Sequence, residues 1–221
     1  MGYEQRCPEG RTVEEGALKL FSRVFGWTGR FAAWRVRRIL GPALENGMRT
    51  LDVGTGPGLI PLYLQRFCPG VHLIGLDVSL KMLDIASNHG KKMRVPLTLL
   101  AGDGEVLPFG AETLDVVTSF FALHHMDQPE RFLKETGRVL KPDGTLLVID
   151  FRRDMPPGLF RILDALWQVV LFCSAGRFGF RDSVRSAWRP DEIESILDRN
   201  NLSRFRVHTS RMELWIVENK R

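Results

Sequence analysis

Five apolar runs alternate with helical patterns through the middle of the chain, and this alternation constrains the fold more than any other feature. "RTLDVG" (49–54), "VHLIGLDV" (71–78), "LTLLAGD" (97–103), "LDVVTSF" (114–120) and "GTLLVIDF" (144–151) read as strands. They are nearly continuous in Val, Leu and Ile, the pattern of strands covered on both faces. Between them "PLYLQRFC", "LKMLDIASNHGKK" and "PERFLKETGRVLKP" read as helices, with a shorter "EVLPF" crossover before the fourth strand. Lys141-Pro142-Asp143-Gly144 reads as a helix stop and turn. Strand, helix, strand in repetition predicts an α/β fold: a doubly wound, mostly parallel sheet.

Two regions lie outside that unit. Residues 12–45 read as helical, and "GRFAAWRVRRILGPAL" sets Phe31, Trp34, Ile39 and Leu40 against Arg35, Arg37 and Arg38. Residues 156–190 open on Pro156-Pro157 and contain an apolar stretch from Gly158 to Gly176 that nearly has membrane-spanning length. Arg161, Asp164 and Gln168 interrupt it, and charges are costly in hydrocarbon, so it reads as a buried or cap helix. "RPDEIESILDRNN" then reads as a helix opened by Pro190 and acidic residues. "SRFRVHTS" and "MELWIVEN" follow as a closing antiparallel pair.

Three scattered cysteines, Cys7, Cys68 and Cys173, lack pairing or metal spacing. They argue for a reducing, cytoplasmic setting and against a disulfide framework or metal site. The opening residues are too polar for a signal peptide, and Arg6 stands where a myristoylation motif needs Ser or Thr. The net charge of +5 is uneven: residues 51–150 carry 9 basic and 12 acidic side chains, residues 1–50 carry 9 and 5, and residues 151–221 carry 13 and 9. Basic flanks suit a solvated face or an anionic partner, but no RNA-binding signature accompanies them.

The most informative turn is "LDVGTGPGLIPLYL" (51–64). A dinucleotide fingerprint is G-x-G-x-x-G, whereas here the glycines are Gly54, Gly56 and Gly58, with Leu59 in the third fingerprint place. Asp52 sits two residues before the first glycine, where a carboxylate would repel a pyrophosphate but suits a ligand carrying an ammonium. Asp77 ends the second strand, where an acid can accept from ribose hydroxyls, and Asp103 ends the third.

Taken in order, "LDVGTGPG", "LIGLDVS", "AGDGEVLPF", "SFFALHHM" and "RVLKPDGTLLVID" resemble the motifs of class I S-adenosylmethionine-dependent methyltransferases. The closest group is methyltransferase type 11, similar to the ubiquinone/menaquinone biosynthesis enzymes. The resemblance covers roughly residues 45–151 and implies a Rossmann-like sheet with N-terminal helices, a helical cap after strand five and an antiparallel closing strand. It implies residues 1–45 as an N-terminal helical segment and 46–221 as the cofactor-binding domain, with 155–190 as the cap insertion. It also implies S-adenosyl-L-methionine as cofactor, with S-adenosylhomocysteine as product. Asp52 would lie near the ammonium and Asp77 on the ribose, with Val78 and Met82 against the adenine. Asp103 would accept from the adenine amine and the Gly104 or Glu105 backbone would contact a ring nitrogen. Gly54, Gly56 and Gly58 would receive the carboxylate end, and Ser119 and Phe120 would line the methionine portion.

Methyl transfer needs orientation and a dry pocket, and needs a general base only when the acceptor must lose a proton. His124 and His125 are the paired imidazoles just beyond strand four and are the candidate bases, with Asp127 as a group able to orient either ring. The acceptor site is expected in the flanks, with Phe31, Trp34, Phe160, Trp167 and Arg177 as its candidates, which suits a small apolar or aromatic molecule. Three other readings stay open: a non-catalytic cofactor-binding or regulatory protein, a nucleotide-dependent oxidoreductase and a methyltransferase acting on RNA or protein. No specific nucleic-acid partner is expected. Peripheral contact with a membrane is the further partner that the apolar cap stretch suggests.

Overall fold

The computed structural model describes residues 29–41, 44–172 and 180–218. Seven strands form one sheet in the order β3-β2-β1-β4-β5-β7-β6. The strands are β1 (Arg49–Val53), β2 (His72–Asp77), β3 (Thr98–Ala101), β4 (Leu114–Phe120), β5 (Leu140–Phe151), β6 (Phe205–Thr209) and β7 (Glu213–Glu218). The first five run parallel, while β7 pairs antiparallel with both β5 and β6, so the closing pair is as expected. The order reverses between β1 and β4. Chain leaving those two strands therefore diverges and opens a crevice at their carboxyl ends.

Helix α1 (residues 29–40) is described from Gly29, and the part of the expected N-terminal helical segment before it lies outside the described residues. Five of the other helices are α2 (Leu59–Phe67), α3 (Leu80–Met93), α4 (Pro129–Val139), α5 (Pro157–Phe172) and α6 (Phe180–Ser186), followed by α7 (Pro190–Arg199). The continuous apolar strands are explained by coverage on both faces. Along β5, Leu146 and Val148 join the cluster containing Phe132 and Leu133 of α4 and Ile193 of α7. Leu147 and Ile149 join the opposite cluster with Val36 and Leu40 of α1 and Leu64 of α2. One departure concerns Lys141–Gly144, expected as a turn before the strand. The strand begins at Leu140, and the register jumps from Leu114–Leu140 to Val116–Thr145, so these residues form an irregularity within β5. Lys141 Nζ meets Asp115 at 2.6 Å, and Arg204 Nη2 donates to the Lys141 carbonyl at 2.5 Å, which holds it in place.

The flanks are pinned by buried ions. Arg35 of α1 makes a bidentate pair with Glu213, whose carboxylate also accepts from Trp215 Nε1 at 3.0 Å, and the guanidinium lies 4.9 Å from the Trp215 ring centre. The cap is a small cluster of Met155, Phe180 and Val184 with Leu159, Leu163 and Trp167 packed against it. Of the three residues expected to interrupt its apolar helix α5, Asp164 is buried and paired with Arg181 at 2.5 Å, while Arg161 and Gln168 are exposed. Among the described residues no helix is long and apolar enough to cross a membrane. Arg153, fully buried after β5, donates to the Ala187 carbonyl at 2.8 Å and pairs with Glu192 of α7.

Removing a buried guanidinium strands its partners. We therefore expect Arg153→Ala to lower stability by about 2–4 kcal/mol in urea unfolding. A loss within experimental error would show that the cap is anchored by its apolar cluster alone.

Candidate active site

The crevice is built first by the turn after β1. Gly54, Gly56 and Gly58 all have positive φ, at 70°, 53° and 73°, a region costly for side-chain-bearing residues. A Cβ at Gly54 would stand 2.4 Å from that of Ala122, and one at Gly58 would stand 2.8 Å from that of Ala86. Those two glycines let the turn press against the β4 loop and α3. At Gly56 the same atom would meet nothing within 4 Å, so there the bare backbone faces open space. The Gly56 N–H donates to Asp77 Oδ2 at 2.7 Å and the Ser79 N–H to Oδ1 at 2.8 Å. One carboxylate thus ties the β1 turn to the end of β2, each oxygen keeping a lone pair for another donor.

Asp52 lies deeper, with Thr118 Oγ1 donating to Oδ1 at 2.8 Å. Burial raises its pKa to about 7, opposed by the Thr118 and Thr55 hydroxyls and reinforced by nearby Asp77. Burial also raises Asp77, against the two backbone N–H donors. Asp103 and Glu105 follow β3: Asp103 Oδ1 accepts from the Glu105 N–H at 2.9 Å, and Glu105 Oε1 accepts from the Gln128 N–H at 3.3 Å. These four carboxylates line one cavity of about 280 Å³, and among the described residues no Lys or Arg lines it. Such a wall repels a pyrophosphate and favours a cation.

The far part of the same cavity is aromatic. Phe121 and Phe151 pack with their rings tilted, 4.8 Å between centroids, and Phe180 meets Phe151 edge-on at 5.3 Å. His124 adjoins this group, 6.1 Å from Phe151 and 4.1 Å from His125. The His124 ring is held from behind by Asp150, at the end of β5, whose Oδ1 is 2.7 Å from Nδ1. Asp150 Oδ2 accepts the His124 N–H at 2.8 Å, so the carboxylate grips ring and backbone together. Both side chains are buried.

A family described as "Methyltransferase domain" matches residues 51–148. The ubiquinone/menaquinone biosynthesis C-methyltransferase of Syntrophotalea carbinolica is 35% identical over 164 residues, covering 73% of this chain and 68% of that protein. The chain belongs to the class I S-adenosylmethionine-dependent methyltransferases. Within them it is related to the quinone-biosynthesis enzymes of type 11. The fold agrees with a methyltransferase of Aquifex aeolicus (TM-score 0.61, 22% identity, covering 82% of this chain and 87% of that one). It also agrees with the plantazolicin methyltransferase solved in complex with S-adenosylhomocysteine (TM-score 0.66, 13% identity, 92% and 89% covered).

For a methyltransferase the residues expected from sequence fall into three groups. Asp52, Gly54, Gly56, Asp77, Val78, Met82, Asp103, Gly104, Glu105, Phe120, His124, His125 and Trp167 line the cavity together. Gly58 and Ser119 do not: the first packs on α3, and the second is fully buried in β4. Nor do Phe31, Trp34 and Phe160. Phe31 and Trp34 are 62% and 44% exposed, because the buried face of α1 is the one carrying Ala33, Val36 and Leu40. Phe160 instead stacks on Phe180 at 5.9 Å. Arg177 lies outside the described residues.

Sequence reasoning missed Asp150, Phe121 and Phe151. Asp150 reads as the polar end of an apolar strand, and only the β4–β5 pairing brings it beneath His124. Phe121 takes a left-handed φ of 52°, rare for an aromatic residue and unsignalled in composition, which turns the chain into the cavity.

The raised Asp52 pKa has a consequence for stability. Between the unfolded value near 4 and about 7 the folded state holds an extra proton, so stability falls as pH rises through that window and levels off above it. Asp52→Asn should therefore stabilise the ligand-free protein by roughly 2–4 kcal/mol above pH 7 and by little near pH 4. Urea titrations across pH measure the gap; a constant gap would mean that Asp52 ionises normally.

Proposed function

We propose that the chain transfers the methyl group of S-adenosylmethionine to a small apolar or aromatic acceptor, using a single cavity for both. The observation that carries this reading is a wall with four carboxylates, those of Asp52, Asp77, Asp103 and Glu105, at a turn with bare backbone at Gly56. A sulfonium and an ammonium are the charges such a wall takes from water at least cost. The residues present therefore fit the cofactor. Asp52 would face the ammonium, Asp77 the ribose hydroxyls, and Met82 and Val78 the adenine. When bound, the cofactor supplies an already activated methyl group, so the protein's part is alignment and exclusion of water.

The aromatic part of the cavity would hold the acceptor. Its walls are Phe121, Phe151, Trp167 and Phe180, which favour a flat apolar body over a long polar chain. For an acceptor that must lose a proton, such as a phenol, His124 would take it. Asp150 would keep the proton on Nδ1 and leave Nε2 as the basic nitrogen, then stabilise the imidazolium.

Calorimetric titration with S-adenosylmethionine, S-adenosylhomocysteine and NAD should give binding of the first two and none of NAD. Asp77→Asn should weaken both sulfur ligands roughly 10- to 150-fold. Unchanged affinity in that variant would move the cofactor away from the β2 end.

A second test concerns the base. His124→Gln should keep cofactor affinity while slowing labelled methyl transfer to a phenolic acceptor by about 10²- to 10⁴-fold. Asp150→Asn should slow transfer and also lower the thermal midpoint, because it loses an acceptor for the His124 turn. Transfer at the wild-type rate in His124→Gln would remove the imidazole from the reaction.

A further inference from the structure

Eight large hydrophobic side chains are exposed among the described residues, and five of them sit on two helices: Phe31, Trp34 and Ile39 on α1, and Ile162 and Leu166 on α5. Scattered exposed hydrophobics are ordinary, but concentration on two elements is not. The arrangement on α1 departs from ordinary amphipathicity. Its core face is Ala33, Val36 and Leu40. The side facing away from the sheet, where a water-facing helix carries mixed charges, holds Phe31 stacked on Trp34 at 5.8 Å with the Arg38 guanidinium 5.1 Å from the Trp34 ring. Arg30 and Arg37 flank them, also exposed, and residues 29–41 contain no acid.

The two helices flank one cavity. Gly29 at the start of α1 and Trp167 of α5 both line it. Arg35 of α1 grips Glu213, and its neighbour Met212 packs in the α5–α6 cluster. Both helices that carry these exposed apolar residues thus border the cavity whose aromatic part is read above as the acceptor site.

We propose that the exposed surfaces of α1 and α5 dock on an anionic bilayer surface, with Phe31, Trp34, Ile162 and Leu166 entering the headgroup boundary and Arg30, Arg37 and Arg38 meeting lipid phosphates. Aromatic rings beside arginines, without acids, are what an anionic interface selects, because the rings tolerate its partial dryness and the guanidinium groups neutralise its charge. A nucleic acid would use the same arginines but leaves Ile162 and Leu166 unexplained. The docking stands on the outer face alone, and its consequence for the acceptor rests on the function proposed above: a lipophilic acceptor would enter the cavity from the membrane side.

The test is co-sedimentation of the full chain with phosphatidylcholine vesicles, with and without phosphatidylglycerol. Binding is expected only to the anionic vesicles, and it should weaken as salt rises. Phe31→Ser with Trp34→Ser should abolish it, and Arg37→Gln with Arg38→Gln should lower the partition coefficient roughly 30-fold at low salt. Brominated lipid should quench wild-type fluorescence more than that of Trp34→Phe. Calorimetry with S-adenosylhomocysteine on the same variants reads the cofactor site separately and should not change. Absence of vesicle binding would overturn the proposal, as would equal binding by the variants. It would also fall if these substitutions abolished self-association in sedimentation, or RNA binding, while leaving vesicle binding intact.

Discussion

Buried negative charge is the constraint around which the cavity end of the sheet is organised. Asp52 and Asp77 lie at the carboxyl ends of adjacent strands, and the described cavity wall offers no Lys or Arg to either. Burial pushes both upward in pKa, Asp77 reinforces the rise at Asp52, and the nearby backbone N–H groups and hydroxyls only moderate the effect. A folded protein bears such a cost where a ligand relieves it. The glycine turn, the short Thr118 contact and the reversal of strand order between β1 and β4 all concentrate that cost in one crevice.

The flanks solve a different problem. The sheet binds at its carboxyl edge, but that edge needs walls, and α1, α5 and α6 supply them. Each is secured by an ion pair with one buried partner: Arg35 on Glu213, Arg181 on Asp164, and Arg153 on Glu192 at the entry to α7. Ion pairs of this kind add little net stability compared with apolar packing but are costly to leave half-made, so they discriminate between placements of a helix. That suits walls whose position matters more than their own core, which in the cap is a small cluster.

The His124–Asp150 pair shows the same logic at the reacting end. The imidazole is presented by a short 3-10 turn, Leu123–His125, an element with little rigidity of its own. Asp150 compensates by holding both the ring and the backbone of that turn from the neighbouring strand. In the proposed function, an acceptor with an aromatic body would rest against Phe121 and Phe151 beside this ring.

Sequence by itself determined the doubly wound, mostly parallel sheet and which glycines and acids stand at its strand ends. The reason is local: apolar runs covered on both faces lack alternation, and glycines and acids at strand ends are positioned by the backbone that carries them. Asp52, Asp77 and Asp103 were legible for that reason. The partners across strands and on helix faces were not, because they depend on register and rotation. Asp150 reaches His124 only through the β4–β5 pairing, and Lys141–Gly144 lies within β5 only because Asp115 and Arg204 hold it there. Phe31 and Trp34 look like acceptor residues in a one-dimensional reading. Tertiary structure alone decided that they face outward, since Ala33, Val36 and Leu40 bury more completely against the sheet and a helix has only one core-facing side.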